Sequence, residues 1–315
     1  MHAWEDTRYK RFLKGPEDFQ VDELLEPGFA STFRRKGGTV ERAREGRFAL
    51  CLLEKRERTT DEVLRELASQ LQLPLARIGC AGMKDKHALT RQHLTIPGVG
   101  PEDLQRVTLR QASLRFVGWT DRWLEKGRIA GNRFTIRLHG IPSPGQAKER
   151  LRQAEQEGFP NLFGPQRFGE RNADVGRLYL QGKLEEAAQL ARGKTNKHLV
   201  KFYINAYQSL LFNLAVEDYA RKGGKPLLQE VQLPGFRAAP ARHPLDRDMW
   251  ARARQDGIRA DSFQITPLML SCAGAGRAAY VRPADAEARG TRPLVLQFSL
   301  PSGSYATSLL QELLR

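Results

Sequence analysis

One acid stands out in this chain by its setting. Asp85 lies in residues 79–96, GCAGMKDKHALTRQHLTI, a glycine-rich, basic stretch between two apolar, strand-like segments. Ala76, Ile78 and Cys80 lead in, and Leu94 and Ile96 lead out. Lys84, Lys86 and Arg91 flank the acid and His87 stands beside it. Nearby cations favour a carboxylate over a carboxylic acid. A carboxylate in such company is either an ion-pair partner that organises a loop or a working nucleophile or base. Four other residues could share a site with it, each with a plainer alternative. Phe19, in KGPEDFQVDE, is a ring crowded by Glu17, Asp18, Asp22 and Glu23, and its plain role is core. Asn132, in GNRF, is a turn residue or an amide pointed at a ligand. Phe134 follows it on a strand, and Tyr305 stands where a loop enters the last helix.

The elements that must position these residues follow from periodicity. Phe19 and Val21 alternate with polar residues as a short strand, and 47–53 (RFALCLL) reads as a buried strand. Residues 30–45, rich in Ser, Arg and Gly, read as a loop or hairpin. Thr59 or Thr60 caps a helix with Glu62 at capping distance, and Val63, Leu64, Leu67, Leu71 and Leu73 form its apolar stripe up to Pro74. LRFVGW is strand-like. Phe134, Ile136 and Leu138 alternate in another strand, and Gly131–Asn132 reads as the turn before it. Helices are expected over 146–156, 178–190 and 198–221; in the last, Val200, Tyr203, Tyr207, Leu210, Leu211, Leu214 and Ala215 form a core stripe. Between the first two lies GFPNLFGPQRFGERNADVG, where rings interleave with Arg167 and Arg171. Such a loop either stacks on exposed bases with its guanidiniums at phosphates, or packs under a domain. Leu294, Leu296 and Phe298 make a final strand, and Leu309, Leu310, Leu313 and Leu314 one face of a terminal helix.

Composition narrows the partner. The 315 residues have room for about two domains, and an apolar share of 40% supports a real core. Lys and Arg exceed Asp and Glu by 51 to 36, a formal charge of +15 spread along the length. That excess favours a polyanion, through long-range attraction and counterion release. Cys51, Cys80 and Cys272 lie far apart without CxxC spacing, which argues against a disulfide framework or a zinc site. The histidines lack HExxH spacing, so no metal is expected. No apolar run reaches spanning length and the start has no signal-peptide core, so the expected place is the cytoplasm and no membrane partner is expected.

Five stretches together resemble one family. GMKDKHALTRQ around Asp85, GPEDFQVDE around Phe19, GNRF at 131–134, FPNLFGPQRFG at 159–169 and LPSGSYATSLLQELL at 300–314 look like the TruD family of tRNA pseudouridine synthases, in the family's order. The resemblance implies an α+β fold: a pseudouridine synthase core with a mainly antiparallel sheet flanked by helices, interrupted by a second α/β insertion, the TRUD domain. Matched at its borders, the catalytic domain is 1–157 plus 282–315 and the insertion is 158–281. The implied reaction is isomerisation of uridine to pseudouridine at position 13 of tRNA by a monomer, with no cofactor. Asp85 matches the catalytic aspartate, Phe19 a substrate-site aromatic, Asn132 a substrate-contacting asparagine and Phe134 the aromatic that packs on the target base. Tyr305 stands where the family usually has Phe. Lys14, Lys84, Arg91 and Arg167 are candidates for orienting the acid or meeting phosphate.

Overall fold

In the computed structural model of the chain, which describes residues 2–30, 47–193 and 196–315, the alternating segments pair into one eight-stranded sheet. Its strands are β1 (Phe19–Leu25), β2 (Phe48–Lys55), β3 (Gly79–Cys80), β4 (Leu89–Pro97), β5 (Ala112–Thr120), β6 (Ile129–Leu138), β7 (Ala284–Arg289) and β8 (Leu294–Pro301). The order is β7-β8-β6-β1-β4-β2-β5, with β3 joined to β4. Only β1 with β4 runs parallel; the other pairings are antiparallel. The expected loop or hairpin over 30–45 lies outside the described residues from 31 on. The mixed helices and mainly antiparallel sheet are the α+β fold expected.

The sheet belongs to one of two compact units, formed by Lys10–Leu151 and Pro283–Gly303. Side chains alternate across a strand, so register decides which share a face. Ala49, Cys51 and Leu53 of β2 stand opposite Ile96, Leu94 and Gln92 of β4. Beyond the short helix α1 (Pro27–Ala30), helix α2 (Thr60–Gln70) lays Val63, Leu64 and Leu67 on that apolar row. Its start is fixed by a capping box: the Glu62 N–H donates to Thr59 Oγ1 (3.2 Å) and the Thr59 N–H to Glu62 Oε2 (2.8 Å). Helix α3 (Pro101–Gln105) follows β4, and α4 (Pro144–Glu157) leads out of the unit.

Gly131 and Asn132 are not a turn. Both lie inside β6, opposite Pro301 and Leu300 of β8. A Cβ at residue 131 would run into the Leu300 carbonyl oxygen, so the glycine serves the close approach of two strands. The chain reverses earlier, where the Arg128 N–H donates to the Glu125 carbonyl (3.1 Å).

The second unit comprises Met1–Tyr9, Arg152–Arg282 and Ser304–Arg315. Its helices are α5 (Asn172–Leu180), α6 (Leu184–Leu190), α7 (Lys197–Arg221), α8 (Pro244–Gln255) and α9 (Ala306–Leu313). The single helix expected over 178–190 is two, because Gly182 turns the chain at φ +77°. The stripe of α7 is core, with Val200, Tyr203, Tyr207, Leu211 and Ala215 all buried. Residues 2–9 and 304–315, assigned from sequence to the sheet domain, pack here. Trp4 is 2% exposed in the core around α7. Gln311 donates to the Asp6 carbonyl (2.7 Å) and Ser308 to that of Leu162 (2.9 Å).

Candidate active site

Asp85 is exposed on the loop between β3 and β4, and the residues around it are divided between inside and outside. Met83, Lys86 and His87 are exposed, but Lys84 turns inward until its side chain is 7% exposed. Its ammonium donates to Asn132 Oδ1 (2.6 Å) and lies 4.0 Å from Glu23 Oε2. Glu23 and Asn132 are directly opposed in the β1–β6 register, so one lysine spans a cross-strand pair. With Oδ1 accepting from Lys84, the Asn132 amide has its Nδ2 donors left for another partner.

The same face carries the aromatic residues. Phe19, Val21 and Glu23 of β1 run beside Ile136, Phe134 and Asn132 of β6, and Phe298 of β8 stands opposite Phe134. Phe19 meets Phe134 edge-on at 6.2 Å between centroids, and Phe134 stacks on Phe298 at 5.5 Å. Phe19 and Phe134 are 8% and 6% exposed, so both are core residues on the face that carries the polar group. From the far end to the loop, the face therefore runs from rings to an amide, a lysine and a carboxylate.

Three buried polar residues that sequence reasoning missed hold the loop. Lys55 at the end of β2 is 1% exposed, and its ammonium donates to the carbonyls of Arg58 (2.7 Å), Asp85 (2.8 Å) and Lys84 (3.4 Å). The Lys84 N–H donates to Thr60 Oγ1 (2.9 Å), and the Thr60 hydroxyl donates to Gln92 Oε1 (2.8 Å). Gln92 Nε2 donates to the Gly82 carbonyl (3.2 Å).

Burial sets the electrostatics. It pushes the Glu23 carboxyl up to about 7, against the pull of Lys84 and the His93 N–H. It lowers Lys84, with Glu23 and Asp85 opposing. It brings Lys55 down to about 8, with Asp85 and Glu62 the main opposing charges. His93 falls to about 4, through burial first and then Lys84 and Arg115. Among the described residues no three His, Cys, Asp or Glu side chains cluster so as to hold a metal ion, and no helix is long and apolar enough to cross a membrane.

Comparison with known proteins gives the arrangement a family. The family model described as tRNA pseudouridine synthase D (TruD) matches residues 9–198 and 228–313, well over half the chain. The chain belongs to the TruD family. It is 31% identical to the tRNA pseudouridine synthase D of Anaeromyxobacter dehalogenans, over 95% of this chain and 91% of that one. With the Thermus thermophilus tRNA pseudouridine synthase D it shares 33% identity, over 95% and 87%. A crystal structure of the putative tRNA pseudouridine synthase D (TruD) from Methanosarcina mazei has the same fold, with a TM-score of 0.69 at 22% identity over 96% of this chain and 92% of that one.

The remaining residues singled out from sequence fall elsewhere. Arg91 faces away from the aromatic row and is committed to Glu54 (2.7 Å) and Asp22 (3.0 Å). Lys14 is exposed, and its N–H donates to Asp18 Oδ2 (2.7 Å). Tyr305 and Arg167 belong to the second unit, where both approach the Phe163 ring: the Tyr305 ring at 6.1 Å and the Arg167 guanidinium at 5.3 Å. Arg277 lies closest over that ring, at 3.7 Å, and burial lowers it to about 10. Asn213 fixes the loop, accepting from the Phe163 N–H (2.8 Å) and donating to its carbonyl (2.9 Å). A signal for the missed residues existed: Glu23, Lys55 and Gln92 share the parity of the buried apolar residues on their strands.

Proposed function

We propose that this chain converts uridine to pseudouridine in tRNA, at position 13, with Asp85 as the catalytic group. The observation that carries the reading is local. An exposed carboxylate adjoins a lysine that is buried onto Asn132 and Glu23, next to a paired Phe19 and Phe134, in a chain of the TruD family. The target base must leave its stack to reach a side chain on this loop, at a cost of a few kcal/mol offset by contacts along the RNA. Asp85 then acts on the ribose, either by attacking C1′ and displacing uracil N1, or by removing the C2′ proton to give a glycal. The detached uracil turns and C5 bonds to C1′, displacing the Asp85 carboxylate on the first route, or with Asp85 returning the proton to C2′ on the second. The C5 proton leaves to solvent and N1 takes one up, so the product is an isomer and no co-reactant is needed.

Asn132, its Oδ1 occupied by Lys84, offers Nδ2 as a donor to a uracil carbonyl oxygen. The rims of Phe19 and Phe134 form an apolar floor that keeps water from the detached base. The sheet unit carries the catalysis, the TRUD insertion is residues 158–281, and within the second unit Tyr305 is a stacking ring and Arg167 a phosphate contact. Lys14 meets phosphate too. The enzyme works as a monomer in the cytoplasm, without a cofactor.

The test is tritium release from C5-labelled uridine in an unmodified tRNA transcript, with pseudouridine mapped in the product. Wild-type protein releases the label at one site. Asp85→Asn binds the transcript and releases none. Release by Asp85→Asn at the wild-type rate would overturn the assignment, and RNA binding by wild-type protein without release would make this a binding module.

A further inference from the structure

We propose that Lys55, Thr60 and Gln92 form a buried polar frame that sets the position of the Asp85 backbone, and that they are positioning residues for the reaction. The inference rests on the reading of Asp85 given above. Three elements contribute one side chain each: Lys55 closes β2, Thr60 opens α2 and Gln92 lies in β4. Thr60 and Gln92 have no exposed surface and Lys55 almost none. Between them they bond the Gly82 carbonyl, the Lys84 N–H and the carbonyls of Lys84 and Asp85. An irregular loop has no ladder to satisfy these backbone groups, so each bond also fixes a place along the chain.

Two features argue for positioning over mere folding. A buried ammonium is an expensive way to satisfy carbonyls, because desolvation opposes it. Lys55 nevertheless uses its three N–H donors on three carbonyls, and two of these are the residue before Asp85 and Asp85 itself. Second, the hydroxyl of Thr60 is a relay. It accepts from the Lys84 N–H while donating to Gln92, which in turn holds Gly82, so a shift at either end of the loop is resisted at the other. The capping box of Thr59 and Glu62 fixes where α2 begins and therefore where this hydroxyl sits. Lys84, whose amide and carbonyl are held from behind, has its ammonium on Asn132 in front. The frame thus sets the distance between the proposed catalytic carboxylate and the amide that reads the base.

Geometry of this kind is worth a large rate factor, since displacement of a reacting group by about 1 Å can cost on the order of 10²-fold. Thr60→Val keeps the shape of the side chain and loses both bonds; Lys55→Met keeps the length and loses the donors. In single-turnover tritium release, each is expected to lower the rate by roughly 10²-fold while the concentration for half-saturation with tRNA changes by less than about threefold. Thr60→Ser, which keeps the hydroxyl, restores turnover. Amide exchange supplies a readout free of activity: in wild-type protein the Lys84 N–H exchanges far more slowly than those of Asp85 and Lys86, and Thr60→Val removes that protection alone. Wild-type rates in Thr60→Val or Lys55→Met overturn the frame, as does equal exchange at residues 84–86 in the wild-type protein. If Lys55→Met fails to fold, the Thr60→Val and Thr60→Ser pair decides; if neither substitution at 55 or 60 folds, the wild-type exchange decides. Asp85→Asn in the same assay separates the two readings. Loss there with full activity in the frame variants sinks only the frame, whereas activity in Asp85→Asn sinks the assignment on which it rests.

Discussion

Replacing Glu23 with Gln should make the protein progressively more stable than the wild type as pH rises from about 4.5 to about 7, and no more so beyond. The Glu23 side chain has no exposed surface, and Oε1 has no hydrogen-bond partner. Oε2 has only the His93 N–H at 3.4 Å and the Lys84 ammonium at 4.0 Å. Burial therefore wins, and the native protein holds the proton up to about 7, whereas the unfolded chain releases it near 4.5. Within that window the native state binds more protons than the unfolded state, so stability contributed below 4.5 is lost as pH climbs through 7. A shift of this size corresponds to about 3 kcal/mol. Gln has the same shape and does not titrate, so the variant escapes the loss. His93 works in the opposite sense: its depressed value gives stability that is present above 6.5 and lost as pH falls through about 4. The two slopes oppose each other in wild-type protein, which is why the difference between variant and wild type, with His93 in both, is the quantity to measure. Hydrogen exchange at the amides of β1 and β6 reads the stability of the sheet unit without requiring the whole chain to unfold in one step. A difference that stays constant with pH, or shrinks as pH rises, would refute the reasoning.

Other consequences can be checked with single substitutions. Lys84→Met should lower the rate of pseudouridine formation but leave the salt dependence of tRNA binding unchanged, because its ammonium is buried on Asn132 and not at a phosphate. Loss of a phosphate contact would flatten the slope of log affinity against log salt by about 0.7–0.9, as titration of tRNA binding over a salt series would reveal. Gly131→Ala should destabilise the sheet by about 1–3 kcal/mol, since β8 must move to clear the new Cβ from the Leu300 carbonyl; an unchanged denaturation midpoint would contradict the close approach. Lys55 loses its proton from the native protein near pH 8, well before the unfolded chain does. Single-turnover rates should therefore decline above about pH 8 as the loop loses a donor, while a flat profile from about pH 7 to about pH 9 would show that the charge on Lys55 is immaterial.

The sheet was legible because alternation is a local property. Phe134, Ile136 and Leu138, or Leu294, Leu296 and Phe298, declare a strand without reference to anything distant, and a Thr59 or Thr60 cap with Glu62 likewise declares a helix start, which the structure puts at Thr59. What local pattern could not reveal depended on partners far along the chain. Gly131 reads as a turn until β8 is known to lie beside it, and Trp4 gives no hint that its core is the one around α7. Arg91 looked like company for Asp85 because the two are close in sequence. A strand separates faces by parity, and Arg91 falls on the side of Asp22 and Glu54.

Parity also explains why the site lies where it does. On β1 the inward row runs Phe19, Val21 and then Glu23; on β2 it runs Ala49, Cys51, Leu53 and then Lys55; on β4 it begins with Thr90 and Gln92 before Leu94 and Ile96. The β1 and β2 rows end on a polar residue after apolar ones, and the β4 row starts with two polar residues before two apolar ones. The register brings those ends together, with Thr90 opposite both Lys55 and Val21, and Gln92 opposite Leu53. A polar side chain at a core position must find a partner in the interior, or its burial costs several kcal/mol. The irregular loop from Gly82 to Asp85 meets this end of the sheet, and its backbone groups are partners for Lys55, Gln92 and, through α2, Thr60. The needs of the two are complementary: Lys55, Thr60 and Gln92 stabilise the loop, and the loop satisfies those three side chains. Asp85 is the exposed outcome of that exchange. The loop that exposes it has a backbone bonded from beneath.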